Sequence, residues 1–404
     1  MTRAIPLLLL ATLGALGCGP VFEEQSTLTS LRVLGVRKDK PYAKSGDTVK
    51  LSMLYEDATF AGADAASRQR DVNILWISAC ENPDGDTYLG CLPRMVRTFQ
   101  DLQEPTPGAD ACVVDGKRVC GFGTEYSIQL ADSIVEDHAR PRDKSPPYGL
   151  AYVFFLVCAG DLGPAPDGQQ FPLACFSKSG QQLGANDFVV GYTAVYAYDS
   201  ITNANPIVTG FTVGVGDEAK PLTPLCIDEA CITGGRPGGS LDAGAAFDAG
   251  PDARGEAEVG VDAAVEAGLP SPDGSAPGPE LDPCQDPGGP ACFEVCTEEK
   301  QSDCPEHDIK LETDPASVEL DEVTRQREGR VISEHAWINY YTDQGEFVND
   351  VKLLGDATNG YQENHGTKIR APKKLGPFNV WGVAHDSRGG VGWAKVRLGT
   401  RRGK

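Results

Sequence analysis

Beyond its first eighteen residues, this chain has no apolar run that could cross a bilayer. The strongest later stretch, A-Y-V-F-F-L-V-C-A-G, ends after ten residues, where a spanning helix needs about 20. Positive charge is also scarce. The 36 Lys and Arg residues stand against 58 Asp and Glu, a net charge of -22, which argues against nucleic acid or an anionic lipid surface as a partner. A sustained 3.6-residue apolar period is missing; A-D-S-I-V-E-D-H is the one plausible helical turn, so a helical bundle is excluded. H-E-x-x-H, G-x-S-x-G, Walker A and G-x-G-x-x-G after a strand do not occur. Of the histidines His138, His307, His335, His365 and His385, no two stand at i, i+4. These absences remove the ready-made signatures of zinc hydrolases, serine hydrolases and nucleotide enzymes. An active site assembled from scattered residues, as in a hydrolase with a dispersed site, is the remaining catalytic alternative.

What is present is β-like alternation. L-R-V-L-G-V-R, T-V-K-L-S-M-L-Y, V-N-I-L-W-I-S-A-C, T-E-Y-S-I-Q-L, L-A-Y-V-F-F-L-V-C and D-F-V-V-G-Y-T-A-V-Y-A-Y follow one another before residue 199. Each is rich in β-branched and aromatic residues and is bounded by Gly, Pro, Asp or Asn. The same grammar returns after residue 306, in D-I-K-L-E-T-D-P, R-V-I-S-E-H-A-W-I-N-Y-Y, V-K-L-L-G-D-A, T-K-I-R-A-P and F-N-V-W-G-V-A-H-D-S-R-G-G-V-G-W-A-K-V-R-L. An all-β fold of two antiparallel sandwiches follows. Between them, residues 233–283 are dominated by Ala, Asp, Gly and Pro, with ten acids to two bases and Phe247 as the only aromatic. Such a segment buries too little apolar area to offset its ordering entropy, and the expectation is a disordered tether. Asn203 to Gly216 opens with Asn-Pro and then alternates. It is the candidate first strand of the second sandwich, which would make the tether an insertion behind that strand.

Arg3 provides a positive head, Ile5 to Leu16 an apolar stretch, and Gly14, Ala15 and Gly17 lead to Cys18. This leader is too short to span and reads as an export signal. Its end resembles the lipobox of bacterial lipoproteins, although Ala15 and Leu16 depart from the usual pattern. The resemblance implies cleavage before Cys18, diacylglyceryl and palmitate-type acyl chains on that residue, and an anchor in the bilayer. Gly19, where an inner-membrane retention aspartate would stand, implies the outer membrane. The F-N-V-W to V-R-L hairpin resembles the last hairpin of immunoglobulin-like and PKD-like modules of bacterial surface proteins. Trp76 and Trp337 resemble the buried tryptophan of the third strand in that fold and are expected to be core anchors.

Setting Cys18 aside leaves 12 of the 13 cysteines, an even set suited to disulfides in an oxidising compartment. Near neighbours suggest Cys80 with Cys91, Cys112 with Cys120, Cys158 with Cys175, Cys226 with Cys231, Cys284 with Cys292, and Cys296 with Cys304. A zinc site from Cys226, Cys231, Cys292 and Cys296 is the competing reading, weakened by the lack of a C-x₂-C knuckle. The domain plan is then residues 1–17 as leader, 18–27 as anchor linker and 28–202 as the first sandwich. Residues 203–232 hold the candidate first strand, 233–283 the tether, 284–306 a cysteine-rich segment and 307–400 the immunoglobulin-like second sandwich.

Candidate sites are few. Asn82, Asp84 and Asp86 alternate as calcium ligands do, but Gly85 falls between the acids, and a disulfide-closed turn explains the loop better. His385 and Asp386 read as exposed residues of a hairpin turn, and Arg397, Arg401, Arg402 and Lys404 as a solvated tail. The aromatics of the second sandwich (Trp337, Tyr340, Tyr341, Phe378, Trp381, Trp393) divide between two faces, one for the core and one free to form a sugar or peptide platform. The reading is a non-catalytic, membrane-anchored envelope lipoprotein that acts as a binding or structural module, without a cofactor. Its partners are the bilayer through Cys18 and an envelope protein or glycan. The first alternative is a calcium-dependent adhesion or glycan-binding module.

Overall fold

The computed structural model describes residues 25–60, 70–95, 98, 113–114, 117–139, 145–166, 172–232, 283–285, 289 and 291–403. Cys18, Cys112, Lys404 and most of the 233–283 tether lie outside them. Within them, no helix is long and apolar enough to cross a membrane, and the architecture is all-β.

The first sandwich is built from β1 (Leu31–Lys38), β2 (Tyr42–Ala43), β3 (Thr48–Asp57), β4 (Asn73–Glu81), β5 (Cys120–Phe122), β6 (Glu125–Gln129) and β7 (Gly149–Cys158). It is completed by β8 (Asp161–Pro164), β9 (Leu173–Phe176) and β10 (Phe188–Ala197). One sheet has the order β1-β3-β6 and the other β2-β10-β7-β4-β5, with β8 and β9 as a separate hairpin. The two larger sheets pack face to face as a β-sandwich. Alternation places Val49, Leu51 and Met53 of β3 inside, opposite Trp76, Val153, Phe155 and Val195. Trp76 is fully buried, donates Nε1–H to the Gly123 carbonyl at 2.7 Å and stacks on Tyr126.

The second sandwich begins at β11 (Val208–Val213), followed by β12 (Lys220–Leu222), β13 (Cys226–Ile227) and β14 (Cys292–Glu294). Then come β15 (Glu306–Thr313), β16 (Ala336–Thr342), β17 (Glu346–Phe347), β18 (Val351–Asp356), β19 (Gly360–Tyr361), β20 (Thr367–Arg370), β21 (Gly376–Asp386) and β22 (Val391–Arg401). One sheet runs β12-β11-β15-β20-β17. The other runs β13-β22-β21-β16-β18-β19, with β14 also pairing to β22. The joint between the sandwiches is residues 198–207, and residues 233–282 run between the second sandwich's own first strand and β15. Both feet of that excursion stand on β22: β13 pairs antiparallel with Ala394 and Lys395, and β14 parallel with Gly399 to Arg401. The basic tail is therefore strand through Arg401 and not a solvated end.

Disulfides join Cys80–Cys91, Cys158–Cys175, Cys226–Cys231, Cys284–Cys292 and Cys296–Cys304. This pairing consumes the four cysteines of the zinc alternative. Cys120 is also disulfide-bonded; the pairing assigned to it, with Cys112, falls outside the described residues.

The outer face of the β21-β22 sheet is covered by the first sandwich. Trp381, Val383, Val391 and Trp393 form one cluster with Leu28, Leu34, Leu54 and Ala58, so the four sheets stack as layers. Gly35 of β1 makes this possible, because a Cβ there would stand 3.3 Å from Val391 Cγ1 and 3.4 Å from the Trp393 ring. Trp393 donates Nε1–H to the Asp228 carbonyl at 2.8 Å, and Asp228 pairs with Arg37 across the seam. Trp337 is not a core anchor. Alternation turns Ile338 and Tyr340 into the second core, and Trp337 lies half-buried on the other face, stacked on His385 with ring centroids 5.3 Å apart.

Two outcomes are expected. Replacing Trp393 with Ala should cost about 3–5 kcal/mol, as large cavities do, and replacing Trp337 only about 1 kcal/mol; thermal melts of both variants check this. Proteolytic nicking between residues 233 and 282 should leave fragments that co-elute on gel filtration, because β11–β15 pairing spans the cut. They should separate on a non-reducing denaturing gel, since every described disulfide lies wholly on one side.

Candidate functional site

The outward face of β10 and β7 carries an aromatic band. Phe188, Val190, Tyr192, Ala194 and Tyr196 share one side of β10, and cross-strand register sets Tyr192 beside Phe154 and Ala194 beside Tyr152. The Tyr192 ring lies 4.5 Å from Tyr88, 5.5 Å from Tyr152 and 6.1 Å from Phe154. At the other end of the strand, Tyr148 packs on Tyr196 and Tyr198, and Tyr42 on Tyr198. Tyr152 and Phe154 are buried beneath the band, whereas Tyr88, Val190 and Tyr192 are 38, 49 and 46% exposed.

The loop N-P-D-G-D-T-Y holds Tyr88 in place. Cys80–Cys91 closes it, and Asn82 straps it to the sheet by accepting from the Leu150 N–H at 2.9 Å and donating to the Ile134 carbonyl at 2.8 Å. Asp86 accepts from Tyr148 at 2.5 Å and bonds His138 Nε2 at 2.7 Å, while its backbone carbonyl accepts from Tyr152. Burial alone would raise the Asp86 carboxyl, but the Tyr148 and His138 hydrogen bonds outweigh it and hold the group below its usual range. The oxygens of Asn82 and Asp86 that calcium would need are thus engaged by protein donors. Asp84 is exposed, and with Asn82, Pro83, Gly90, Pro93 and Arg94 it lines a depression of about 250 Å³ beside the band. Among the described residues, no group of three or more His, Cys, Asp and Glu side chains is arranged to hold a metal.

The other histidines are dispersed. His138 Nδ1 is buried without a hydrogen-bond partner, so no hydroxyl or thiol completes the Asp86–His138 pair as a nucleophile would. His365 is enclosed between the carbonyls of Gln362 and Leu311, and His307 stacks on Phe293.

His385 and Asp386 are not exposed turn residues. Their D-S-R-G-G hairpin plugs into the seam between the sandwiches, leaving Asp386 3% and Arg388 6% exposed. Asp386 accepts from the N–H groups of Arg388 and Gly390 and from Asn203 Nδ2, and Arg388 bonds Glu334 at 2.6 Å. A Cβ at Gly390 would lie 2.1 Å from the Asp386 carboxylate and 2.9 Å from the Ala204 carbonyl, so glycine is required there. Lys38 of β1 is buried nearby and donates to the Ala194 carbonyl. Burial holds its ammonium down to about 8, against the pull of Asp386. This polar knot ties the two domains together and offers no open site.

The even spacing of Tyr192, Tyr196 and Tyr198 is the signal in the sequence for the tyrosine band; alternation offered a platform only on the second sandwich, as the alternative to core packing with ordinary exposure, and the first sandwich covers the Trp381 and Trp393 part of that face. The chain matches no protein-family model and no curated protein.

Burial, then the Lys38 charge, pushes the His385 imidazole down to about 4. Its neutral form therefore favours the folded seam above pH 6.5, and that contribution is lost as pH falls from 6.5 toward 4. Relative to His385→Gln, the wild type should lose up to about 2 kcal/mol between pH 7.5 and pH 5. Denaturant titrations of both proteins at the two pH values check the sign.

Proposed function

We propose that this protein is a non-catalytic lipoprotein of the cell envelope, held in the outer membrane by acylated Cys18. It binds an envelope protein or glycan with the tyrosine band of its first sandwich. The observation that carries the reading is the exposed Tyr88–Tyr192 stack beside Val190, set on a strand paired with β7 along its whole length and fixed by a disulfide-closed loop. Aromatic rings with one wet edge, held rigidly, are the usual means of gripping a partner at low entropic cost. The apolar surface that would otherwise compete, around Trp381 and Trp393, is used in joining the two domains. Disulfides fit an exported chain, and the leader ending at Cys18 supports the anchor. A calcium-dependent mode has less support, given how Asn82 and Asp86 are engaged.

Two measurements test this reading. Cys18→Ser should move the protein from the membrane pellet to the soluble envelope fraction; retention in the pellet would rule out the anchor. In the same soluble variant, Tyr88→Ala with Tyr192→Ala should reduce co-sedimentation with isolated envelope fragments at least tenfold while the melting curve is kept. Unchanged co-sedimentation would remove the band as the binding face.

A further inference from the structure

We propose that the open edge of β10 is a strand-addition site for an extended peptide segment with alternating basic side chains. This rests on the binding-face reading above and gives that face a partner chemistry. β10 pairs with β7 from Phe188↔Cys158 to Ala197↔Gly149, but on its other side, among the described residues, only Tyr196 and Ala197 meet a strand, β2. The Ala194 carbonyl points to that open side, where Lys38 Nζ donates to it at 3.2 Å. In an antiparallel strand the N–H and C=O of one residue point the same way and alternate residues repeat the direction. Val190 and Tyr192 therefore present their backbone groups to the open edge, and they are the two residues of β10 with the most exposed side chains. β1 runs beside this edge in the other layer and, among the described residues, bonds it only at the ends, through Leu31 N–H to the Asn186 carbonyl and through Lys38.

Long apolar edges are normally blunted by charge, proline or a bulge. From Phe188 to Val195, β10 has none of these, and its register with β7 is unbroken. Main-chain pairing with an added strand would supply affinity, and alternate side chains of that strand would supply selectivity. Charge decides the occupant. The chain carries -22, and Asp84 and Asp86 stand on the loop that holds Tyr88, while the rim's Arg94 is turned to the Glu81 carbonyl. A second copy of the chain would bring the same negative charge. A basic side chain of an added strand would lie over the Tyr88–Tyr192 rings, where a cation is attracted by the ring faces and by the carboxylates behind them.

The test uses the detergent-solubilised full chain and a labelled nonapeptide alternating Lys and Val, read by fluorescence anisotropy. Binding is expected. It should weaken at least tenfold when Glu replaces Lys in the peptide, and at least tenfold when alternate peptide amides are N-methylated, which blocks strand pairing. Val190→Pro and Tyr192→Lys should each weaken it at least tenfold; Tyr192→Lys, at an exposed position, keeps the test decisive if the proline variant misfolds. No binding, equal binding of the N-methylated peptide, or indifference to Tyr192→Lys overturns the proposal. A dimer that Tyr192→Lys dissociates, with no effect of peptide, also overturns it and makes a second copy the occupant. If the Tyr88→Ala, Tyr192→Ala variant loses envelope binding but the peptide never binds, strand addition alone fails. If that variant binds envelope fragments like the wild type, the binding-face reading fails as well.

Discussion

A β-sheet has two faces, and the β21-β22 sheet is apolar on both. Phe378, Val380, Ala384, Val396 and Leu398 fill the core of the second sandwich, while Trp381, Val383, Val391 and Trp393 face outward. Two tryptophans exposed side by side would carry several hundred Å² of apolar surface, at about 25 cal/mol per Å². Burial against β1 and β3 of the first sandwich removes that cost. The remaining features of the seam follow from it: glycine at position 35, the Asp228 turn that satisfies the Trp393 indole, the Arg37–Asp228 pair, and the polar knot of Lys38, Asp386, Arg388 and Glu334 that closes the margin.

This constraint also shapes the surface available for function. With the inner layers committed to each other, the open apolar ground lies on the far side of the first sandwich, on β10 and the loop from Cys80 to Cys91. The strand is rigid through its pairing with β7, the loop through its disulfide and through Asn82 and Asp86. A binding surface there would be pre-organised, so little ordering entropy would oppose association.

Period-two alternation, turn residues and short cysteine spacings were enough to read the two sandwiches, the strand at Val208–Val213 and five described disulfides, because each rests on residues close in sequence. The roles of Trp337, His385 and Asp386 were misread for a common reason. Alternation shows that Trp337 and Ile338 face opposite ways, but not which way is inward, and the outer face of that sheet is covered around Trp381 and Trp393 but only partly around Trp337. The D-S-R-G-G hairpin has the composition of a solvent turn, yet the first sandwich lies against it. Tyr192 and Tyr196 have the spacing of any half-buried strand, and nothing local shows that one side of β10 pairs with a strand only at Tyr196 and Ala197 among the described residues.

The sequence by itself determined the class of fold, the positions of the longer strands along the chain, the even set of cysteines and the break in composition between residues 233 and 283, since composition and short-range spacing encode them directly. Only the tertiary structure decided which aromatic residues are core, which join the two domains and which remain open, because exposure depends on what packs against a face from elsewhere in the chain. Gly35 against Trp393 and Asn203 against Asp386 are contacts between residues far apart in the sequence, 183 positions for the second pair. They arise once both sandwiches have formed and their apolar faces have met.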